Sequence, residues 1–239
     1  MTFQKPIGHL EQESSDQPGA ISRFATDIAG VLLTPSDTLR DVGARQAVVP
    51  AVLLVMLIVV VSTAGQMVVA TLELFQVPGF TSPVAPVFAG TTAAMNLMSL
   101  FWNIIWAPVF WTIIAGVIYL VARAMGGNGN FGALWAASGF ALTPQLLIAP
   151  FTTAGELMAL VGGVAQVFGW LVVFPLVIAG FVWTLVLYAI AIRETMGLST
   201  GRAVGTLAIL GGVLIGIGIL LVCMFMVFMV GIVALMGAA

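Results

Sequence analysis

Long apolar stretches separated by short polar ones dominate the chain from residue 47 onward. A helix needs about 20 mostly apolar residues to cross a hydrocarbon core of roughly 30 Å, and within that core it satisfies its own backbone groups. Five stretches are long enough, so the pattern predicts an all-α bundle of five membrane-spanning helices. Their approximate limits are 48–72, 93–122, 134–153, 164–192 and 205–236.

The third stretch contains Pro144 and Pro150. Proline removes a backbone hydrogen bond and kinks a helix. Two interpretations therefore remain open: a broken helix that crosses the membrane, and a re-entrant hairpin, which would change the topology. Pro108 and Pro175 predict comparable kinks near the middle of the second and fourth spans.

The region before the first span divides into a polar and an amphipathic part. Residues 1–19 are polar and predict a flexible tail. In 20–46, apolar side chains recur at helical spacing, with Arg23 and Asp27 off the stripe. This helix would lie in the headgroup region or pack on the ends of the spans. The stripe consists of Ile21, Phe24, Ile28 and Leu32.

A second short helix is expected directly afterwards. Thr34 is suited to cap its start, Pro35 to occupy its first position, and Asp37 to complete a capping box. The helix would extend to about Val42 and lead into a membrane domain at 47–239.

The composition excludes other classes of protein. Hydrophobic residues make up 61% of the 239 residues and charged residues 7%, whereas soluble domains carry about 25% charged residues. A soluble globular domain and a disordered chain are both excluded. The net charge of -2 and the absence of a basic run give no support for nucleic-acid binding.

The seven basic residues predict the orientation of the bundle. Four precede the first span, one follows the second and two follow the fourth, so all fall on one side. Cytoplasmic loops are enriched in Lys and Arg. We expect a cytoplasmic amino terminus and an outer carboxyl terminus, in a bacterial cytoplasmic (inner) membrane. Glu73 and Glu156 fall in the predicted outer loops.

No Asp, Glu, Lys, Arg or His lies near the middle of any predicted span. Intramembrane proteases and proton-coupled carriers depend on such groups. We therefore expect no catalytic residue, no metal site and no cofactor.

Neutral polar side chains do occur within the spans, and in hydrocarbon each needs a partner. They would either form hydrogen bonds between helices or line a polar pocket or path. The candidates for this polar interior are Gln66, Asn96, Asn103 and Gln145.

The fifth span carries a face of small residues that predicts helix packing. Gly205, Gly212 and Gly216 lie on this face, and the last two form a G-x-x-x-G pair that permits close backbone approach. The partner helix would belong to this chain, to a second copy in a homo-oligomer, or to another membrane protein.

Three short motifs, in this order, resemble those of the Yip1 family of five-span membrane proteins. The first precedes span one, the second lies in span three with Phe140 where the family has tyrosine, and the third precedes span five. The resemblance covers most of the chain from about Ile21 onward, and it implies the fold and a membrane location. The matching residues are Thr34, Pro35, Gly139, Phe140, Leu142, Pro144, Gly197, Leu198, Ser199, Thr200 and Arg202.

The resemblance is to prokaryotic members. Eukaryotic members reside in Golgi and endoplasmic reticulum membranes and are implicated with Rab GTPases, but their Asp-Leu-Tyr-Gly-Pro motif does not occur in this sequence. We expect a non-enzymatic scaffold whose amphipathic helices shape the lipid bilayer or recruit a partner. The alternatives are a transporter or channel for a small neutral or lipidic substrate, and an accessory subunit of a membrane complex.

Overall fold

The structure is a computed structural model that describes residues 19–76 and 85–237. Within these ranges, no side chains are described for 73–76, 85–94, 96, 97 and 230–237. Residues 1–18 of the predicted flexible tail therefore lie outside the described residues.

The described residues form eight α-helices and no strand, which confirms the all-α prediction. Two short helices precede five candidate membrane spans, and the third span consists of two helices. The helices are α1 (Ala20–Leu33), α2 (Pro35–Ala44), α3 (Val48–Gln76), α4 (Ala85–Ala124), α5 (Phe131–Phe140), α6 (Thr143–Val161), α7 (Gly163–Met196) and α8 (Thr200–Gly237).

The third span is a broken helix. Because α5 ends at Phe140 and α6 begins at Thr143, Pro144 lies in the first turn of α6 and does not kink a continuous helix, as the sequence had suggested. Proline is tolerated there since the amides of the first turn lack helical partners anyway. The elbow satisfies its own polar groups: the amide of Leu142 donates to the carbonyl of Gly139 at 3.2 Å, and the Thr143 hydroxyl to that of Phe140 at 2.6 Å.

This broken span lies at the centre of the bundle. In its most apolar stretch 61% of the residues are buried, against 22% or fewer in the other four spans. α5 packs against α2, α3, α4 and α7, and Phe140 at its end is fully buried. Gly139 permits this approach because a Cβ atom there would lie 2.7 Å from the Trp111 ring and 2.9 Å from the Ala51 side chain.

Only the first part of α8 packs against the other helices. Leu198, Ala203 and Leu210 pack with the ends of α4 and α7, whereas residues 212–229 are all exposed on the described chain. The carboxyl-terminal half of α8 therefore contacts lipid or another membrane helix.

Replacing the elbow glycine tests the close packing of the third span. Gly139→Ala should lower the free energy of unfolding by about 1–3 kcal/mol, because the new methyl group overlaps Trp111 and Ala51. The matched control is Gly116→Ala in α4, where nothing lies within 4 Å of the new Cβ atom. Thermal unfolding of the purified protein in detergent measures both; equal melting temperatures for the two variants would contradict this packing.

Candidate functional site

Two features outside the apolar core are candidates for function. The first, here called the platform, comprises α1, α2 and the loops at 125–130 and 197–199. The second, here called the polar groove, lies between α3, α6 and α7 and is lined by Ser62, Gln66, Gln145, Thr152, Thr153 and Glu156.

The platform is held on the bundle by α2. Leu39 and Val42 are fully buried in the same apolar cluster as Phe140 and Leu187. Pro35 begins the helix as predicted, but the capping box does not form, because the Thr34 side chain makes no capping hydrogen bond. The apolar contacts of α2 with α5 and α7, and not a helix cap, thus fix its position.

α1 has one side on the bundle and one side free. Phe24 meets Phe140 edge to face with ring centroids 6.3 Å apart, and Val31 is fully buried. By contrast, Ile21 is 86% exposed and Leu33 81% exposed. The predicted stripe is therefore split: Phe24 and Ile28 pack against the core, and Ile21 does not.

Leu32, the last residue of the stripe, lies at an edge between α1 and the outer surface of the bundle. It lines an apolar cavity of about 310 Å³ together with Leu147, Phe151 and Trp183 on α6 and α7. These three side chains are 39–57% exposed, as expected of side chains that face lipid. The edge of α1 at Leu32 thus borders the lipid-facing surface.

An ion pair with a buried carboxylate joins the two platform helices. Asp27 has a side chain only 10% exposed, and one of its oxygens accepts a hydrogen bond from Arg45 at 2.9 Å. Arg45 also pairs with Asp41 at 2.9 Å. Asp27 had been placed off the apolar stripe; because it lies three residues after Phe24 and four before Val31, it faces the bundle with them. The spacing of Asp27 thus indicates that it faces the bundle, but it does not identify the partner Arg45, which lies 18 residues further along the chain.

The end of α7 connects the loops of the platform. Arg193 pairs with Glu194 at 2.6 Å and also donates to the hydroxyl of Ser36 in α2 at 3.0 Å. The amide of Asn128 donates to the carbonyl of Met196 at 3.0 Å. The two loops and α2 therefore meet at one end of the bundle.

The third motif forms the turn into the last span. Gly197 ends α7 with a φ of 65°, a left-handed conformation that glycine adopts without strain. Leu198 is buried in the cluster with Ala203, and α8 begins at Thr200 directly after Ser199. The guanidinium of Arg202 lies 3.4 Å from the carbonyl of Met125 in the other loop.

The polar groove consists of two adjoining cavities. One of about 270 Å³ lies beside Gln145 and Thr152, and one of about 430 Å³ lies beside Trp170. Gln66 and Glu156 line both. Because α6 rises about 1.5 Å per residue, the groove extends over about 16 Å from Gln145 to Glu156.

The predicted polar interior residues have different surroundings. The amide of Gln145 donates to the Thr184 hydroxyl at 3.2 Å and so links α6 to α7. The side-chain amide of Gln66 makes no hydrogen bond among the described residues, and Gln66 lines the groove. Asn103 is exposed on α4 and does not join them, and the side chain of Asn96 lies outside the described residues.

Glu156 is a groove residue that sequence reasoning had assigned to an outer loop. The predicted span ended at residue 153, but α6 continues to Val161 and contains Glu156 one and a half turns before its end. The signal was available, because the residues from Ala154 to Val161 are apolar apart from Glu156 and Gly155, and a glycine pair follows.

The small-residue face of α8 also divides into two parts. A Cβ atom on Gly205 would lie 3.3 Å from Met125, so this glycine packs against the rest of the chain. Gly212 and Gly216 have nothing within 4 Å of that position among the described residues. Self-association through this pair stays a prediction.

Removal of the buried carboxylate should loosen the platform. Asp27→Asn replaces an ion pair by a weaker hydrogen bond and should cost about 1.5–3 kcal/mol in unfolding free energy. Asp37→Asn is the control, since its pair with Arg40 is 64–76% exposed and worth at most about 1 kcal/mol. Limited proteolysis between α1 and α2 and thermal unfolding report the effect; an Asp27 variant as resistant as the control would contradict the role of this pair.

Comparison with known proteins places the chain in a family. A family model of the Yip1 domain matches residues 29–223, which include all three sequence motifs, the first four spans and most of the fifth. No curated protein and no solved structure matches the chain. The match covers most of the chain and agrees with the five apolar helices, so the chain belongs to the Yip1 domain family of membrane proteins.

Proposed function

We propose that this integral membrane protein is a non-enzymatic scaffold that presents the platform at the surface of the membrane. The observation that carries the proposal is the contrast between the two sides of α1. Its inner side is fixed by Phe24, Asp27 and Val31, and its outer side exposes Ile21 and Leu33. A bundle that served only as an anchor would need no such fixed amphipathic helix.

The position of α1 supports contact with the bilayer. Leu32 borders the lipid-facing cavity beside Leu147 and Trp183, so α1 lies at the height where the bundle leaves the hydrocarbon. An amphipathic helix at this height inserts its free apolar side chains into the headgroup region. The exposed Ile21 and Leu33 are the side chains available for this, or for an apolar patch on a partner protein.

We also propose that the platform faces the cytoplasm, that the carboxyl terminus is outside, and that the membrane is the bacterial inner membrane. The six described arginines lie in the platform or at the helix ends that join it, and positive charge is enriched on the cytoplasmic side. Arg202 is exposed at the start of α8 and is the arginine of this loop that would meet anionic lipid headgroups, because Arg193 is paired with Glu194.

Substitution of the free side of α1 tests the scaffold proposal. The double variant Ile21→Ser and Leu33→Ser should bind the bilayer or a partner several-fold more weakly. Each substitution loses about 1 kcal/mol or more of the free energy of transferring an apolar side chain out of water. The stability of the bundle should not change. Ala29→Ser, on an exposed position of the same helix, is the control. The measurements are vesicle morphology by electron microscopy of proteoliposomes and copurification of partners from native membranes. Wild-type behaviour of the double variant in both would overturn the proposal.

The groove favours a second candidate function, the passage of a small neutral or lipidic substrate. Its support is that the side-chain amide of Gln66 has no hydrogen-bond partner among the residues that the structure describes, and that Gln66 borders both cavities. Transfer of a fluorescent lipid between the leaflets of proteoliposomes tests it. Transfer by the wild type that Gln66→Leu abolishes would favour passage over the scaffold role, and transfer no faster than in empty liposomes would exclude it for that lipid.

A further inference from the structure

Glu156 differs from the other described acidic residues in its pairing. Asp27, Asp37, Asp41 and Glu194 each pair with an arginine at 2.6–2.9 Å. Glu156 makes no ion pair and no hydrogen bond within the described chain, although it lies in an apolar helix. A carboxylate at the edge of a bilayer is costly unless a partner satisfies it, and that partner is not among the described residues.

The depth of Glu156 is that of the lipid headgroups. α7 has 34 residues, which at about 1.5 Å each exceed the roughly 30 Å hydrocarbon core, so its ends reach beyond that core. Glu156 lies five residues before the end of α6, on the hairpin that α6 forms with α7. Trp170 on α7 lines the same cavity and is 54% exposed. Tryptophan prefers the boundary between headgroups and acyl chains.

The chemistry of the groove selects the sign of the ligand's charge. No Lys, Arg or His lines either cavity, so the carboxylate of Glu156 has no positive competitor there. The hydroxyls of Thr152 and Thr153 donate to the carbonyl of Ala149, which leaves only their lone pairs for the groove. Glu156 and the two threonines therefore offer acceptors to a hydrogen-bond donor with positive charge.

Gln66 complements this set with donors. Its amide group has no partner among the described residues and borders both cavities beside Glu156. An amide can donate to a phosphate or ester oxygen next to a bound cation. The larger cavity, of about 430 Å³, is in the range of ligand sites, and the smaller one, of about 270 Å³, adjoins it. Both suit a headgroup better than a whole lipid, whose acyl chains stay in the bilayer.

We infer that the polar groove binds the primary ammonium group of a phospholipid headgroup, with Glu156 as acceptor of its hydrogen bonds and Gln66 as donor to the adjacent phosphate or ester. A primary ammonium has three N–H donors, whereas a quaternary ammonium has none and a phosphoglycerol headgroup has no positive charge. Phosphatidylethanolamine is therefore preferred over phosphatidylcholine and phosphatidylglycerol. The site is remote from the platform, so this inference does not depend on the scaffold role.

The lipids retained by the full-length protein test this inference. The protein is reconstituted in nanodiscs with equal amounts of the three lipids, extracted into detergent, and its bound lipids are quantified by native mass spectrometry. The wild type should retain phosphatidylethanolamine about tenfold over the other two, the ratio expected for one charged hydrogen-bonded contact. Glu156→Gln should reduce this ratio to that of the bulk lipid, and Gln66→Leu should reduce it in part. Asp37→Asn, which removes a carboxylate from α2, should leave it unchanged.

Several outcomes would overturn the inference. They are retention by the wild type in the bulk ratio, an unchanged preference in Glu156→Gln, and binding of soluble phosphoethanolamine by a wild type that retains no lipid, which would make a free amine the ligand. Glu156→Gln is an isosteric change at a position without an ion pair among the described residues, so this variant should have the melting temperature of the wild type. If it does not, Glu156→Asp and Gln66→Leu decide: a preference that neither variant lowers contradicts the site.

Discussion

The structure depends on a break in a helix that is tolerated only because protein surrounds it. Backbone groups without partners are not stable in hydrocarbon, so an irregular turn at membrane depth must be buried and must satisfy itself. The elbow between α5 and α6 meets both conditions through the hydrogen bonds of Leu142 and Thr143 and the burial of Phe140. Gly139 lets α3 and α4 close over it, since a side chain there would displace Ala51 and Trp111.

Both candidate sites follow from this break. Because α5 is short and buried, its surface supports α2, which in turn supports α1 and the loops of the platform. Because α6 starts anew after the elbow, it packs along α7 as a hairpin and leaves the groove on the side of α3. The platform and the groove thus lie towards opposite ends of the same span, one rich in arginine and the other containing an unpaired carboxylate.

The sequence predicts those parts of the fold that depend on one segment at a time. Length and apolar content suffice for the spans, and the spacing of Phe24 and Ile28 suffices for α1. Contacts between segments were not predictable. Asp27 in α1 pairs with Arg45 at the end of α2, and Arg193 in α7 donates a hydrogen bond to Ser36 in α2. Pro144 shows a further difficulty, since proline both kinks a helix and begins one, and only the packing of Gly139 and Phe140 decides between them. Glu156 was assigned to a loop because its single charge was given more weight than the apolar residues around it.

The docking of α2 on the end of α7 is the central claim, and one crosslink tests it most directly. A Cβ atom on Gly43 would lie 2.7 Å from Cγ2 of Thr195. The Cβ atom of Thr195 is one carbon–carbon bond further, so the two Cβ atoms would lie within about 4.2 Å, and the Cβ atoms of disulfides lie about 3.5–4.5 Å apart. With the exposed Cys223 replaced by alanine, the pair Gly43→Cys and Thr195→Cys should form a reducible bond within one chain in native membranes. The pair Gly43→Cys and Gly216→Cys should not. A folded protein in which the cysteines at positions 43 and 195 react separately with maleimide and never crosslink would contradict the docking of α2 on α7.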